Sequence, residues 1–581
     1  MHKQKGFYWF KYIKPYLPYF IIGPLCMIVE VIGEVVMPKL LSVVINQANA
    51  GTLTDGISLG IMAGMIGCAI LMMTGGVGGA YFASKAAVSF AADLRSDMYR
   101  RVQQFSFANI DRFSTGSLVT RMTNDITQVQ NLIATALRMA LRAPGMMIAA
   151  LIMAIILNPS LSLVFAVSIP LVLVTVVFII RMGFPRFAAL QDKVDNLNNT
   201  IQEDVTNVRV VKSFVREDYE IDRFGKANSE LKKTGMSAFR VMIFMQPVMT
   251  LLMYATVITV ILLGGRIVLS GDMEVGDLSA FITYVTQVLS SLIMITFMLM
   301  FSSRALASAK RIREVMEEKL DLSDENASFP DLDVSHGEIE FRNVTFRYFK
   351  DSADSVLSGI NLRIPAGKTV GIIGSTGSGK STLVSLIPRL YDCDEGEVLV
   401  DGVNVKEYSL EKLRDGVSMV LQNNMLFSGS VSDNLRWGDE NADDDTVRHA
   451  AKQAQADKFV SSFPGGYEYQ IGQGGTNVSG GQKQRLCIAR ALLSRPKILI
   501  LDDSTSAVDT ATEAQIRTAL REEVHDATKI IIAQRISSVQ DADMIVVLNE
   551  GRITGCGTHD ELLSSNTEYR EIYDSQTGKG A

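Results

Sequence analysis

Lys368-Thr369-Val370-Gly371-Ile372-Ile373, followed at once by Gly374-Ser375-Thr376-Gly377-Ser378-Gly379-Lys380-Ser381-Thr382, is the stretch on which the reading of this chain turns. The first six residues are an apolar run of strand length, and Thr382–Leu390 reads as a helix. Between them lies G-x-x-x-x-G-K-[ST] in full. Its glycines let backbone N–H groups wrap a phosphate at a helix N-terminus, where the helix dipole also favours negative charge. Lys380 has the reach to contact β- and γ-phosphates, and the Ser381 hydroxyl can ligate Mg²⁺.

Working outward, Lys497-Ile498-Leu499-Ile500-Leu501-Asp502 is a buried apolar strand that ends in a carboxylate, as needed to hold a water on Mg²⁺. Between the two strands, Val478-Ser479-Gly480-Gly481-Gln482 opens a helix over Lys483–Leu493. A glycine-rich helix start favours phosphate by the same physics. Two phosphate-grasping helix starts about a hundred residues apart need an explanation, because one nucleotide cannot easily use both.

The first half has a different character. Overall the 581 residues are 48% hydrophobic and 20% charged, with apolar residues crowding the first half and charges the second. That length implies two or more domains. We expect a membrane domain over 1–316, a charged linker over 317–335 and a soluble domain over 336–581. The net charge of −6 gives no basic field, so nucleic acid is excluded as a partner. Five scattered cysteines without a C-x-x-C pair read as free thiols.

Six apolar stretches have the roughly 20 residues needed to cross a bilayer as helix. They run over Tyr16–Met37, Ile57–Phe82, Ala143–Leu157 with an N-terminal extension, Leu161–Ile180, Val241–Ile267 and Ala280–Phe301. Asn158-Pro159-Ser160 makes the third and fourth a hairpin. Lys and Arg crowd 85–121 and 181–240 but are nearly absent from the short loops, so both long connections and both termini face the cytoplasm. The basic, aromatic start Met1–Phe10 suits a helix on the inner membrane surface. Both long connections keep helical character, which predicts helices continuing into the cytoplasm. Ala108–Phe113 and Arg216–Phe224, one at each apex, read as plugs that dock on something cytoplasmic.

Inside the membrane region, Glu30 and Glu34 stand four apart on one helix face. Either they face a transport cavity and favour cationic cargo, or they pair with a neighbouring helix through Arg138 or Arg142. Met294, Met298 and Met300 read as packing or lipid contacts, and Gly75 and Gly79 as points of close helix approach.

Taken in order, these motifs resemble the nucleotide-binding domain of ATP-binding cassette (ABC) transporters, and the whole chain resembles a half-transporter of their multidrug-exporter branch. The resemblance implies an α-helical polytopic membrane domain of six helices, then an α/β P-loop ATPase domain with a helical subdomain. It places the chain as a multi-pass protein of the plasma (inner) membrane with a cytoplasmic ATP-binding domain. It also implies that two such domains sandwich two ATP molecules. Each ATP then lies between the phosphate loop (Gly374, Ser375, Thr376, Gly377, Ser378, Gly379, Lys380, Ser381, Thr382) of one domain and the signature (Ser479, Gly480, Gly481, Gln482) of the other. By the same resemblance Tyr348 stacks on adenine, and Mg²⁺ is held by Ser381, Asp502 and Gln422, the last also sensing the membrane domain. Ser506-Ala507-Val508-Asp509 resembles the D-loop, and the apices near Asn109 and Tyr219 resemble coupling helices.

Two positions depart from the family's pattern. Where the family usually has the glutamate that orients the attacking water stands Asp503, one methylene shorter; misplacement by about 1 Å at a reacting centre can cost about 10²-fold. Where it usually has a histidine after the strand Lys529–Ala533 stands Gln534, a donor that never carries positive charge. No other histidine is placed to substitute. With Lys380, Ser381, Asp502 and Gln422 retained, the expectation is a site that binds ATP and hydrolyses it poorly. Since the signature is intact, the expected partner is a second, non-identical half-transporter, and the expected cargo a small, amphiphilic molecule. A lipid or peptide exporter and an ATP-gated regulatory or channel subunit are the alternatives.

Overall fold

The computed structural model describes residues 8–325, 327–350, 354–503 and 509–577, and divides into two compact units. One comprises the chain up to Gln103 together with Thr115–Glu318; the other joins Gln104–Ser114 to Lys319 and all that follows.

The first unit is helical, with six helices long and apolar enough to cross a membrane. Their principal segments are Leu17–Asn49, Asp55–Gln103, Arg142–Leu157, Leu163–Thr206, Glu217–Leu269 and Val275–Glu317, the third preceded by Ile126–Met139. Most exceed the about 20 residues a bilayer requires, as the helical character of the long connections predicts. Asn158 makes the third-to-fourth turn, its Oδ1 accepting from the Leu161 N–H at 2.9 Å. The first two helices approach closely because Gly75 has no side chain: a methyl group there would lie 2.8 Å from the Cys26 carbonyl oxygen. The core gathers Val31, Val35, Ala150, Ala154, Phe281 and Tyr284, and the Tyr284 hydroxyl donates to the Val35 carbonyl at 2.8 Å. Of the two partners considered for Glu30 and Glu34, Arg142 is the one observed, its Nη2 donating to Glu34 Oε1 at 2.7 Å and to Glu30 Oε1 at 3.3 Å. Met294 and Met298 are half-buried; the side chain of Met300 and residues 1–7 lie outside the described residues.

In the second unit a six-stranded sheet runs in the order 552–557, 544–549, 369–373, 528–532, 498–502, 417–420. Five of these strands run parallel, and the edge strand 552–557 is antiparallel. A four-stranded antiparallel sheet (357–364, 339–346, 395–400, 403–404) supplies a second layer. Ile498–Asp502 and Thr528–Ile532 are buried throughout, so they read as continuous apolar runs without alternation. A helical part includes Val431–Arg436, Asp444–Gln453 and Gly480–Leu493, packed on its own cluster of buried side chains. All five cysteines are free thiols.

Three boundaries differ from the sequence reading. The helix after the phosphate loop is Lys380–Ser385, shorter than Thr382–Leu390. Pro388 has no N–H with which to continue the helix, and Arg389 turns left-handed at φ 50°. The signature helix starts at Gly480, with Ser479 as its cap, three residues before Lys483. The second apex element is a short helix at Val208–Ser213, while Arg216–Phe224 opens the long helix that begins at Glu217. Val215, at φ 51°, breaks the chain between them, and Glu217, Asp218 and Glu220 suit a helix's first turn.

Ala108–Phe113, in contrast, does form a separate element. Phe107–Arg112 is one helical turn and a half, with Ser106 and Asn109 in a capping box. Asn109 Nδ2 donates to the Lys319 carbonyl at 2.8 Å, and the Tyr391 hydroxyl donates to Asp111 Oδ2 at 2.9 Å. This apex therefore packs within the second unit.

Candidate functional site

The parallel strands end together, and their carboxyl ends place the site. Ile373 passes into Gly374, where a side chain would lie 2.0 Å from the Leu548 carbonyl oxygen, so only glycine fits. Gly379, at φ 97°, caps the helix in a left-handed conformation that a Cβ disfavours. Between them Ser375, Thr376, Gly377 and Ser378 form the loop that the motif predicts. Lys380 is buried and folds back, its Nζ donating to the carbonyls of Gly374 at 2.9 Å and Ser375 at 2.8 Å. Burial pushes its ammonium below the usual lysine range, against the pull of Asp502 and Asp503.

Ser381 Oγ donates to Asp502 Oδ1 at 3.0 Å, bringing together a hydroxyl and a carboxylate from the ends of different elements. Burial pushes the Asp502 carboxyl up; the Ser381 hydrogen bond opposes the rise and nearby Asp503 adds to it. Thr382 Oγ1 lies 2.9 Å from the Tyr348 hydroxyl, whose ring is exposed and stands edge-on to Tyr391. A hydroxyl beside a buried, charge-starved carboxylate is a donor set that fits a divalent cation, and the glycine cradle fits a polyphosphate.

Asp503 follows with a left-handed backbone at φ 46°, held by its N–H donating to Ile532 O at 3.0 Å. Its Oδ2 accepts from Gln534 Nε2 at 2.8 Å and from Gln422 Nε2 at 3.5 Å. Two amides from separate stretches of sequence thus converge on one oxygen of a third. Gln534 is itself anchored, its carbonyl accepting from Gln576 Nε2 at 2.8 Å.

Sequence reasoning missed Gln484, whose buried side chain donates Nε2 to the Asp503 carbonyl at 3.3 Å. A polar residue on the inward face of the signature helix is the signal that marks it. Ser479 Oγ accepts from the Gln482 N–H at 3.3 Å while the Ser479 N–H donates to Gln482 Oε1 at 2.9 Å, a reciprocal cap. Ser479 and Gly480 are exposed, and among the described residues none of Ser479–Gln482 bonds to the phosphate loop or to Asp502. Asp509 caps Thr510–Glu523 by accepting from the Thr512 N–H at 2.9 Å, which also holds its carboxyl low. Ser506–Val508, the rest of the D-loop reading, lie outside the described residues.

Residues 20–292 match the profile of the ABC transporter transmembrane region, and 357–506 that of the ABC transporter. The chain is 37% identical over 570 residues to the uncharacterized ABC transporter ATP-binding protein YfiB of Bacillus subtilis, covering 98% of each protein. It is 32% identical over 488 residues to the ATP-dependent lipid A-core flippase of Desulfotalea psychrophila, covering 84% of this chain and 85% of the flippase. Its fold superposes on a bacterial Atm1-family ABC exporter with ATP bound, with a TM-score of 0.78, 24% identity and coverage of 97% and 99%. Six helices long and apolar enough to cross a membrane, a phosphate loop at the ends of parallel strands and matches along nearly the whole chain make it a member of the ABC transporters, a half-transporter that joins a membrane domain to a cytoplasmic ATP-binding domain.

Proposed function

We propose that this chain is one half of a heterodimeric, ATP-driven exporter of small amphiphilic molecules, and that its own ATP site turns over slowly. The observation that carries this reading is the bond from Gln534 Nε2 to Asp503 Oδ2 at 2.8 Å. Hydrolysis requires a water oxygen to attack the γ-phosphorus as the bond to the bridging oxygen breaks, with a carboxylate orienting that water. Asp503 is a methylene short for this task, and the oxygen it would offer is engaged by two neutral amides. Gln534 brings no positive charge to the developing transition state, where such charge contributes most.

Binding remains well provided for. Gly374–Ser378 and Gly379 cradle the phosphates, Lys380 leaves its two carbonyls to neutralise them, and Tyr348 offers its exposed ring to the base. Ser381, Asp502 and Gln422 would hold Mg²⁺, which would supply charge neutralisation for the phosphates. The signature helix start, exposed and capped, completes the partner's site. Closure of the two cassettes is then transmitted through Phe107–Arg112 to the membrane helices, which alternate between inward- and outward-facing states.

A second reading, lipid export, is favoured by the similarity to a flippase that moves a lipid. A decisive experiment measures ATPase activity of the purified complex with its co-purifying half-transporter. Ser479→Arg should nearly abolish turnover and Asp503→Asn should lower it less than about twofold. The reverse ranking overturns the assignment of slow and fast sites.

A further inference from the structure

Within the membrane unit, a cavity of about 240 Å³ opens beside the Glu34–Arg142 pair, lined also by Thr283, Thr286, Gln287 and Ser290. Three buried polar atoms around it have no hydrogen-bond partner: Glu34 Oε2, Gln287 Oε1 and Arg142 Nε. Each is costly in a low-dielectric setting. The partners already used explain why these three are left over. Arg142 Nη2 serves both Glu34 Oε1 and Glu30 Oε1, and Gln287 Nε2 donates to the Glu34 carbonyl at 3.0 Å. Thr283 and Thr286 direct their protons to the Ser279 and Ile282 carbonyls, so only their oxygens' acceptor capacity remains.

The balance is lopsided. Two orphaned oxygens and two hydroxyl acceptors face one orphaned donor and the Ser290 hydroxyl, and two carboxylates share a single guanidinium. We propose that this cavity is a recognition subsite for the protonated amine of an amphiphilic cargo, a primary ammonium whose three N–H donors match that surplus of acceptors. The inference rests on the exporter reading above and adds the chemical class of the cargo to it. A cavity of 240 Å³ takes a headgroup and not a whole drug-sized molecule, so the apolar remainder of the cargo lies outside it. Glu34 Oε2 reaches the ligand by rotation about its terminal torsion, which is soft. Ionisable groups at membrane depth are otherwise expensive to keep. A quaternary ammonium carries the same charge and no donors, so it leaves the orphaned oxygens unpaired.

The test is binding of radiolabelled dodecylamine, dodecyltrimethylammonium and dodecanol to the full chain with its co-purifying half-transporter in nanodiscs. The expected result is dodecylamine binding at least tenfold more tightly than the other two. Glu34→Gln, which keeps the shape, should erase that preference and leave dodecyltrimethylammonium unchanged; Thr286→Val should weaken dodecylamine severalfold. Equal affinity for the two cations, or a preference untouched by Glu34→Gln, overturns the proposal and leaves the cluster a helix clamp. ATP-dependent uptake of a neutral amphiphilic dye into inverted vesicles runs in parallel. If dye uptake persists while the amine preference is missing, the subsite fails and the exporter reading stands. If none of the amphiphiles is moved, the cargo reading fails and the binding result decides the subsite separately.

Discussion

Asp502 is buried and has its carboxyl pushed up, so its charged form costs the folded domain stability at every pH above the raised value. That stability returns as pH falls through the raised value and the group protonates. Mg²⁺ with nucleotide removes the same penalty at neutral pH by supplying a counter-charge. Asp502→Asn keeps an acceptor for the Ser381 hydroxyl and removes the charge. Relief of about 1 kcal/mol should raise the ligand-free melting temperature by roughly 2–4 °C for a domain of this size. The further rise given by Mg–ATP over ATP alone should vanish. Differential scanning fluorimetry reads both, and an unchanged ligand-free value sinks the argument. At the neighbouring position, Asp503→Glu with Gln534→His should raise ATPase activity of the complex at least severalfold if local chemistry is limiting. No gain locates the limit in the partner's signature.

Among the elements, Phe107–Arg112 is held by specific bonds, so its loss should be felt as poor coupling and not as poor binding. Removing the Tyr391-to-Asp111 hydrogen bond with Tyr391→Phe costs about 1–3 kcal/mol. Cargo moved per ATP hydrolysed should then fall severalfold while ATP affinity stays the same; a matched fall in both contradicts the assignment. This element was legible because Ser106 and Asn109, three apart, are cap signals carried by the sequence itself. Its counterpart was misplaced by several residues. Asn207 precedes Val208-Arg209-Val210-Val211-Lys212-Ser213, but its side chain donates back to the Glu203 carbonyl and makes no cap, so the stretch continues the helical pattern before it, while the break comes from a left-handed Val215 that no propensity announces. The phosphate loop was legible to the residue because its glycines answer local demands. The engagement of Asp503 by Gln534 and Gln422 was not, since it joins three segments that only the parallel sheet brings together.

For the molecule as a whole, the intact signature and the altered hydrolytic pair make one prediction about assembly. The tagged chain purified from its native membranes should carry an equimolar, non-identical half-transporter, and alone should bind Mg–ATP with little turnover. A homodimer with brisk ATPase activity contradicts the pairing. The six spans were readable because a bilayer demands length and apolarity from each of them separately. For Glu34 the sequence offered Arg138 and Arg142 as partners, and the packing of the first and third spans chose Arg142.

Lys380 gives the resting site a latch of its own. Its ammonium is seated on the Gly374 and Ser375 carbonyls. Nucleotide capture is therefore an exchange, in which an incoming chain of phosphates must displace two internal bonds before it gains the lysine.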